Sequence, residues 1–262
     1  MPDPTPHPTN WAAGRYEAVA ERIALIAGKV VDAVDRRGPV SNTAVVDLAC
    51  GTGSAALAAA AAGAQVTAVD LTRELIAIAT ARPGADSVNW VVADAAHTGL
   101  PGGAFDAAVS NMGIIFVEPD ALVAEVGRLL RPGGIFGFSA WIPEQDSPFR
   151  TPIVATLGRP AVTGQSPEQW GDPDIVRSRL ASAFDDITIE TGAQTWQFDS
   201  LATVLRFLQD ESPMHVDLLG RLEQPVRQRL MTAFEAALRE HTDDTGLVSF
   251  DSPYLIATAR RR

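Results

Sequence analysis

From residue 40 to residue 141 the chain alternates between two hydrophobic rhythms. Short apolar runs that suit buried strands are separated by stretches in which apolar side chains recur every three or four positions, the spacing of a helix with one buried face. The strand-like runs lie at 45–48, 65–69, 88–92, 105–110 and 135–141. Between them the spacing predicts helices over 54–62, from Thr72 (whose hydroxyl suits a cap) to about Ala81, and from Pro119 to the stop at Arg131-Pro132-Gly133-Gly134. Upstream, Val19, Ile23, Ile26, Val30 and Val34 predict a helix within 10–38, capped by Thr9 or Asn10 and ended by Gly38-Pro39. Buried strands joined by crossover helices predict an α/β fold with a doubly wound, Rossmann-like parallel sheet and helices on both faces.

Beyond Trp141 the rhythm weakens. The proline-punctuated stretch 142–171 reads as a partly ordered insertion. A helix is then expected from Asp172-Pro173-Asp174 to about Phe184, a sixth strand over 187–191, helices over 201–209 and 221–240, and a seventh strand over 254–259 at the sheet edge. The late helices read as a lid inserted between the last two strands. No repeat or sharp shift of composition divides the chain, so one domain over 1–262 is expected. It has a cap helix at 10–38, a core at 40–141 and lid segments at 142–171 and 200–245.

Composition narrows the class. With 262 residues, 46% of them hydrophobic, the chain can bury a substantial core. The net charge of -11 excludes the basic face that a nucleic-acid or anionic-membrane binder needs, and Arg260, Arg261 and Arg262 read as a solvated tail. The single cysteine, Cys50, excludes an intramolecular disulfide framework and a Cys-rich zinc site. His7, His97, His215 and His241 lie too far apart for a metal-ligand pattern, and no metal is expected. No apolar run reaches the roughly twenty uncharged residues of a membrane span. The proline-rich opening at 1–9 reads as a disordered arm, neither signal nor transit peptide. A cytoplasmic protein without membrane or nucleic-acid partners follows, monomer or homodimer.

The chemistry concentrates where the first strand ends, at Asp47-Leu48-Ala49-Cys50-Gly51-Thr52-Gly53-Ser54, with Asp70 closing the next strand. A strand, a Gly-x-Gly turn and a helix bring backbone close to a ligand, because side chains at the glycines would collide with it. An acid ending the second strand can accept hydrogen bonds from both hydroxyls of a ribose. Gly51-x-Gly53-x-x-Ala56 also satisfies the dinucleotide fingerprint, which keeps NAD and an oxidoreductase in play. Asp47 separates the two. A carboxylate beside a pyrophosphate is repelled, whereas it suits the sulfonium and ammonium of S-adenosylmethionine.

The ordered set of motifs carries a resemblance. Val45-Val46-Asp47-Leu48-Ala49-Cys50-Gly51-Thr52-Gly53 resembles motif I of the class I S-adenosylmethionine-dependent methyltransferases. Val69-Asp70, Ala93-Asp94-Ala95, Phe105-Asp106-Ala107-Ala108-Val109 and Leu129-Leu130-Arg131-Pro132-Gly133-Gly134 match the later motifs in order, across about residues 40–141. The likeness is greatest to the small-molecule branch that includes quinone-biosynthesis C-methyltransferases. Ala49 departs from the glycine of many members. The resemblance implies a seven-stranded, mostly parallel sheet and S-adenosylmethionine as cofactor. Asp47, Ala49, Gly51 and Gly53 would border its methionine and ribose, and Asp70 would hold the ribose diol. Leu71 would cover an adenine face, Asp94 would accept from the adenine amine, and the Ala95 amide would meet a ring nitrogen. Asn111 and Met112 would face the methyl group, with Trp11 and Tyr16 of the first helix closing over the cofactor.

The implied reaction moves a methyl group to O, N or C of a small molecule. Alternatives are a fold member that binds the cofactor without transfer, as a cyclase or regulatory module, and the NAD oxidoreductase above. Should a base be needed, His215 and Glu118 are the candidates. Trp141, Trp170 and Trp196 are open to two readings, core or substrate cavity.

Overall fold

The computed structural model describes residues 9–158 and 166–262. The opening arm with His7, and part of the 142–171 stretch, lie outside the described residues. The chain packs into two compact units: residues 22–145, 166–195 and 251–262 in one, and 9–21, 146–158 and 196–250 in the other.

The first unit is built on the sheet. Its strands are β1 (Ala44–Leu48), β2 (Gln65–Asp70), β3 (Val88–Val92), β4 (Phe105–Asn111), β5 (Leu130–Trp141), β6 (Phe184–Phe198) and β7 (Val248–Arg261), in the spatial order β3-β2-β1-β4-β5-β7-β6. β1 pairs in parallel with β2 and β4, β2 with β3, and β4 with β5, whereas β7 runs antiparallel to β5. The last strand is therefore internal and β6 takes the edge, the reverse of the sequence expectation. Alternation of Tyr254 to Ala259 reports burial but carries no information about which strand lies beyond.

Helices follow the predicted crossovers: α3 (Ser54–Ala61), α4 (Arg73–Thr80), α5 (Pro119–Leu129) and α7 (Pro173–Leu180). Val46, Leu48, Phe136, Phe138 and Trp170 share one apolar core with Leu122 and Val126 of α5 and Val176 and Leu180 of α7. Trp170 thus takes the core reading, its ring 5.3 Å from Phe138 and 4.6 Å from the Arg179 guanidinium. The N-terminal helix divides into α1 (Tyr16–Arg22) and α2 (Ala24–Asp35), because Ile23 leaves helical geometry at φ -101° and ψ 6°. Ile23 and Ile26 both stay buried across the break, so the apolar spacing runs through it unchanged.

The second unit is helical. It holds α6 (Thr151–Leu157), α8 (Leu201–Arg206), a π-helical turn over Phe207–Glu211, α9 (Pro213–Arg221) and α10 (Gln224–Arg239). α9 lies between the two helices expected over 201–209 and 221–240, and the second of these starts only at Gln224 because α9 occupies the preceding residues. The aromatic rings of Trp196, Phe207, Phe250 and His215 gather around Phe149, at centroid distances of 4.9 to 6.2 Å.

Candidate active site

Loops leaving the carboxyl ends of β1, β2, β3 and β4 build the site, and strand order reverses between β1 and β4. Open α/β sheets bind ligands at such a switch point. Ala49, Gly51 and Gly53, in the turn after β1, adopt left-handed backbone at φ 51°, 56° and 82°. For alanine that conformation costs about 1 kcal/mol, so the surroundings must impose it. The Gly51 amide donates to Asp70 Oδ2 at 2.8 Å, and the Cys50 amide donates to the Val69 carbonyl at 3.0 Å. Asp70 Oδ1 accepts the Thr72 amide at 2.8 Å. Thr72 occupies the N-cap of α4 without the expected side-chain cap. A carboxylate accepts about four hydrogen bonds, so Asp70 clamps two loops and keeps capacity to spare.

Strand alternation sends Asp47 to the face opposite Val46 and Leu48. There its Oδ2 accepts the Ala56 amide of α3 at 2.8 Å, and its Oδ1 is buried without a hydrogen-bond partner among the described residues. Burial pushes its carboxyl up to about 8, opposed by the Ala56 N–H and reinforced by Asp70. Burial also raises Asp70, against the hydrogen bonds from Thr72 and Gly51. The Cys50 thiol is driven well up by burial and by both aspartates, which suits packing and not reactivity. Burial therefore favours the protonated form of Asp47 in the free protein, and the charge repulsion invoked against a pyrophosphate is weaker than the sequence suggested. What the geometry leaves is a buried oxygen short of a partner.

Gly53 owes its small size to packing: an added Cβ would stand 2.3 Å from Cη2 of Trp90. The Trp90 indole N–H donates to the Ala85 carbonyl at 3.0 Å, which holds the ring there. Gly113 shows the same logic, since its Cβ would meet the Ala49 carbonyl oxygen at 2.2 Å. The loops after β1 and β4 touch through these two residues.

Two serines brace the end of β4. Ser110 Oγ donates to the Leu48 carbonyl at 2.7 Å. Ser139 Oγ accepts the Met112 amide at 3.0 Å and donates to Asn111 Oδ1 at 2.8 Å. Met112 is buried with φ 57°, a strained conformation for a side chain of its size. Asn111 Nδ2 has the Ile23 carbonyl at 3.4 Å. After β3, the Asp94 carboxylate accepts the Ala96 amide at 2.9 Å, and its other oxygen has the exposed His97 ring at 3.5 Å. Ala95 is buried, and Leu71 is 71% exposed beside Asp70.

Comparison with known proteins agrees with this arrangement. Residues 46–138 match the methyltransferase domain family. An uncharacterized protein of Mycobacterium tuberculosis is 33% identical over 198 residues, 73% of this chain and 70% of its own length. A ubiquinone/menaquinone biosynthesis C-methyltransferase of Rubrivivax gelatinosus is 34% identical over 139 residues, 50% of this chain and 54% of its own. The chain belongs to the class I S-adenosylmethionine-dependent methyltransferases. Among solved structures, a Haemonchus contortus phosphoethanolamine N-methyltransferase in complex with S-adenosylhomocysteine superimposes with a TM-score of 0.54 at 21% identity. That match covers 88% of this chain and 52% of the other, so this chain spans about half the length of that relative.

S-adenosylmethionine is the cofactor of this methyltransferase, and the residues present fit it. Asp47 Oδ1 is a buried oxygen without a hydrogen-bond partner among the described residues, and Asp70 retains acceptor capacity next to the glycine turn. Of the residues expected at the site, ten lie at or just beyond the carboxyl ends of four neighbouring parallel strands: Asp47, Ala49, Gly51, Gly53, Asp70, Leu71, Asp94, Ala95, Asn111 and Met112. Trp11 and Tyr16 belong to the helical unit and meet edge to face at 6.3 Å. His215 also lies there, on α9 and not in a loop. Its Nδ1 is 2.7 Å from Ser212 Oγ, and burial lowers its pKa to about 4 despite the opposing pull of the Phe149 carbonyl. Glu118 is the N-cap of α5, its two oxygens accepting the Asp120 and Ala121 amides at 3.1 and 2.6 Å. Sequence reasoning passed over Trp90, Gly113, Ser110 and Ser139. Only Ser139 carried a signal, as the lone polar position in the otherwise apolar run 135–141.

Proposed function

We propose that this methyltransferase transfers the methyl group of S-adenosylmethionine to a small-molecule metabolite, in the cytoplasm. The observation that carries the reading is Asp70 locked onto the Gly51 amide with the unpartnered oxygen of Asp47 buried in the same loop system. The cofactor, when bound, supplies an activated methyl for in-line displacement. The protein's part is to bind, align and keep water out. The spare acceptor capacity of Asp70 receives the ribose hydroxyls. Asp47 Oδ1 meets the cationic methionine end, directly or through water, and that charge lets the carboxyl ionise. Leu71 covers one adenine face, Asp94 accepts from the adenine amine, and the Ala95 amide meets a ring nitrogen. Asn111 and Met112 border the transferring methyl.

The two candidate bases have other work. Glu118 caps a helix, and His215 is buried and bonded to Ser212. Substrates whose nucleophile ionises unaided, such as phenols, thiols or activated carbon acids, fit this chain better than alcohols. No helix of the described residues is long and apolar enough to cross a membrane. The acid excess and lone cysteine support a soluble setting without nucleic-acid partners.

Calorimetry tests the cofactor site: S-adenosylhomocysteine should bind and NAD should not. Asp70→Ala should weaken S-adenosylhomocysteine binding by at least about tenfold, and unchanged affinity would refute the ribose assignment. Incubation with methyl-labelled S-adenosylmethionine and fractionated small-molecule extracts should label a product. No label in any fraction would favour cofactor binding without transfer.

A further inference from the structure

We infer that Glu125 and Thr98 are positioning residues for the adenine-reading turn, holding Asp94 and Ala95 through a buried carboxylate clamp. This inference rests on the cofactor reading above. The turn after β3 is tied at its start by the Ala93 amide, which donates to the Asp70 carbonyl at 3.0 Å. Within it the Asp94 carboxylate takes the Ala96 amide at 2.9 Å, and the Asp94 carbonyl takes the His97 amide at 3.0 Å. The turn is rigid inside, but its far end needs an anchor, and Thr98 supplies it. The Thr98 amide and hydroxyl donate to Glu125 Oε1 at 3.0 and 2.5 Å, and the hydroxyl accepts the Leu100 amide at 3.2 Å. On the other side Arg128 donates Nε to Oε2 and Nη2 to Oε1 of Glu125, both at 2.7 Å.

Glu125 of α5 and Thr98 of the loop after β3 are both buried, while Arg128 reaches the surface. A buried carboxylate with four charge-assisted hydrogen bonds is stiff. Its geometry is fixed by α5, which packs into the core through Leu122, Val126 and Leu129. The clamp transmits that rigidity to a loop whose own apolar anchors near Asp94 are small, Ala93, Ala95 and Ala96, with Leu100 partly buried against the core beyond Thr98. Glu125 touches no cofactor in this account. It acts through Thr98, so its loss should appear in which base is recognised more than in whether any ligand binds.

The test compares the affinity of S-adenosylhomocysteine with that of its hypoxanthine counterpart, in which the adenine amine is replaced by oxygen. The parent should prefer adenine strongly. Thr98→Val, which keeps the shape and removes the hydroxyl, should weaken S-adenosylhomocysteine about tenfold. It should leave the hypoxanthine ligand nearly as before, so that the preference shrinks, and Thr98→Ser should restore it. If Thr98→Val does not fold, Arg128→Gln removes only the outer half of the clamp and should move the preference in the same direction by less. A folded Thr98→Val or Arg128→Gln protein with the parent's preference overturns the clamp while leaving the cofactor reading intact. A parent that binds both ligands equally also overturns it, since there is then no base recognition to position. A parent that binds neither overturns the cofactor reading itself.

Discussion

Asp47 shows how far a single residue can depart from its sequence reading. As a strand-end acid it looks like a fixed negative charge, yet burial at 1% exposure keeps it protonated up to about pH 8. The free folded protein therefore holds a proton that the unfolded chain releases near 3.8. Stability should fall as pH rises through that interval, by at most about 1.4 kcal/mol per pH unit. Asp47→Asn keeps an acceptor for the Ala56 amide and removes the titration. Thermal melts of the free variant should lose this slope, and the variant should bind S-adenosylmethionine more weakly than the parent. A variant with the parent's pH profile would place the titrating group elsewhere. Glu125 works with the opposite sign. Arg128 and Thr98 hold its carboxyl down to about 2 against an ordinary 4.5, so its contribution is full above 4.5 and is lost as pH falls towards 2.

At the level of elements, the strands and helices around the glycine turn follow from local pattern, whereas their contacts do not. Gly113 and Gly28 are both glycines in the sequence, with nothing local to rank them. In the structure a Cβ at Gly113 would strike the Ala49 backbone at 2.2 Å, and one at Gly28, inside α2, would meet nothing within 4 Å. Gly113→Ala should therefore destabilise by roughly 3 kcal/mol or prevent folding, because neither loop can give way. Gly28→Ala should stabilise by about 0.5–1 kcal/mol through helix propensity. Urea unfolding of the two variants checks both, and a Gly113→Ala protein as stable as the parent would mean that the loops after β1 and β4 are not in contact. The break at Ile23 is silent in the sequence for a related reason. Apolar periodicity reports which side is buried and is blind to a kink or a short turn that preserves it.

For the whole molecule, the net charge of -11 is a repulsive load on the folded state. Raising ionic strength from about 10 mM to about 150 mM shortens the screening length from roughly 30 Å to about 8 Å. The melting temperature should rise by a few degrees, and an unchanged or lower value would show that attractive ion pairs outweigh the repulsion. Arg37 is a case of such attraction within the sheet unit: it bonds the Asp186 carboxylate, the Thr188 hydroxyl at 2.8 Å and the Thr258 hydroxyl at 2.9 Å, which ties α2 to β6 and β7.

The sequence by itself determined the parallel core, the glycine turn with its two aspartates, and the family, because these rest on neighbours within a few residues and on motifs in fixed order. Tertiary structure alone decided the place of β7 inside the sheet and the protonation of Asp47. It also decided the packing reasons for Gly53 and Gly113 and the clamp from Glu125 to Thr98. Each of these depends on which distant group comes into contact and on how completely water is removed, and neither quantity is a property of any short stretch of chain.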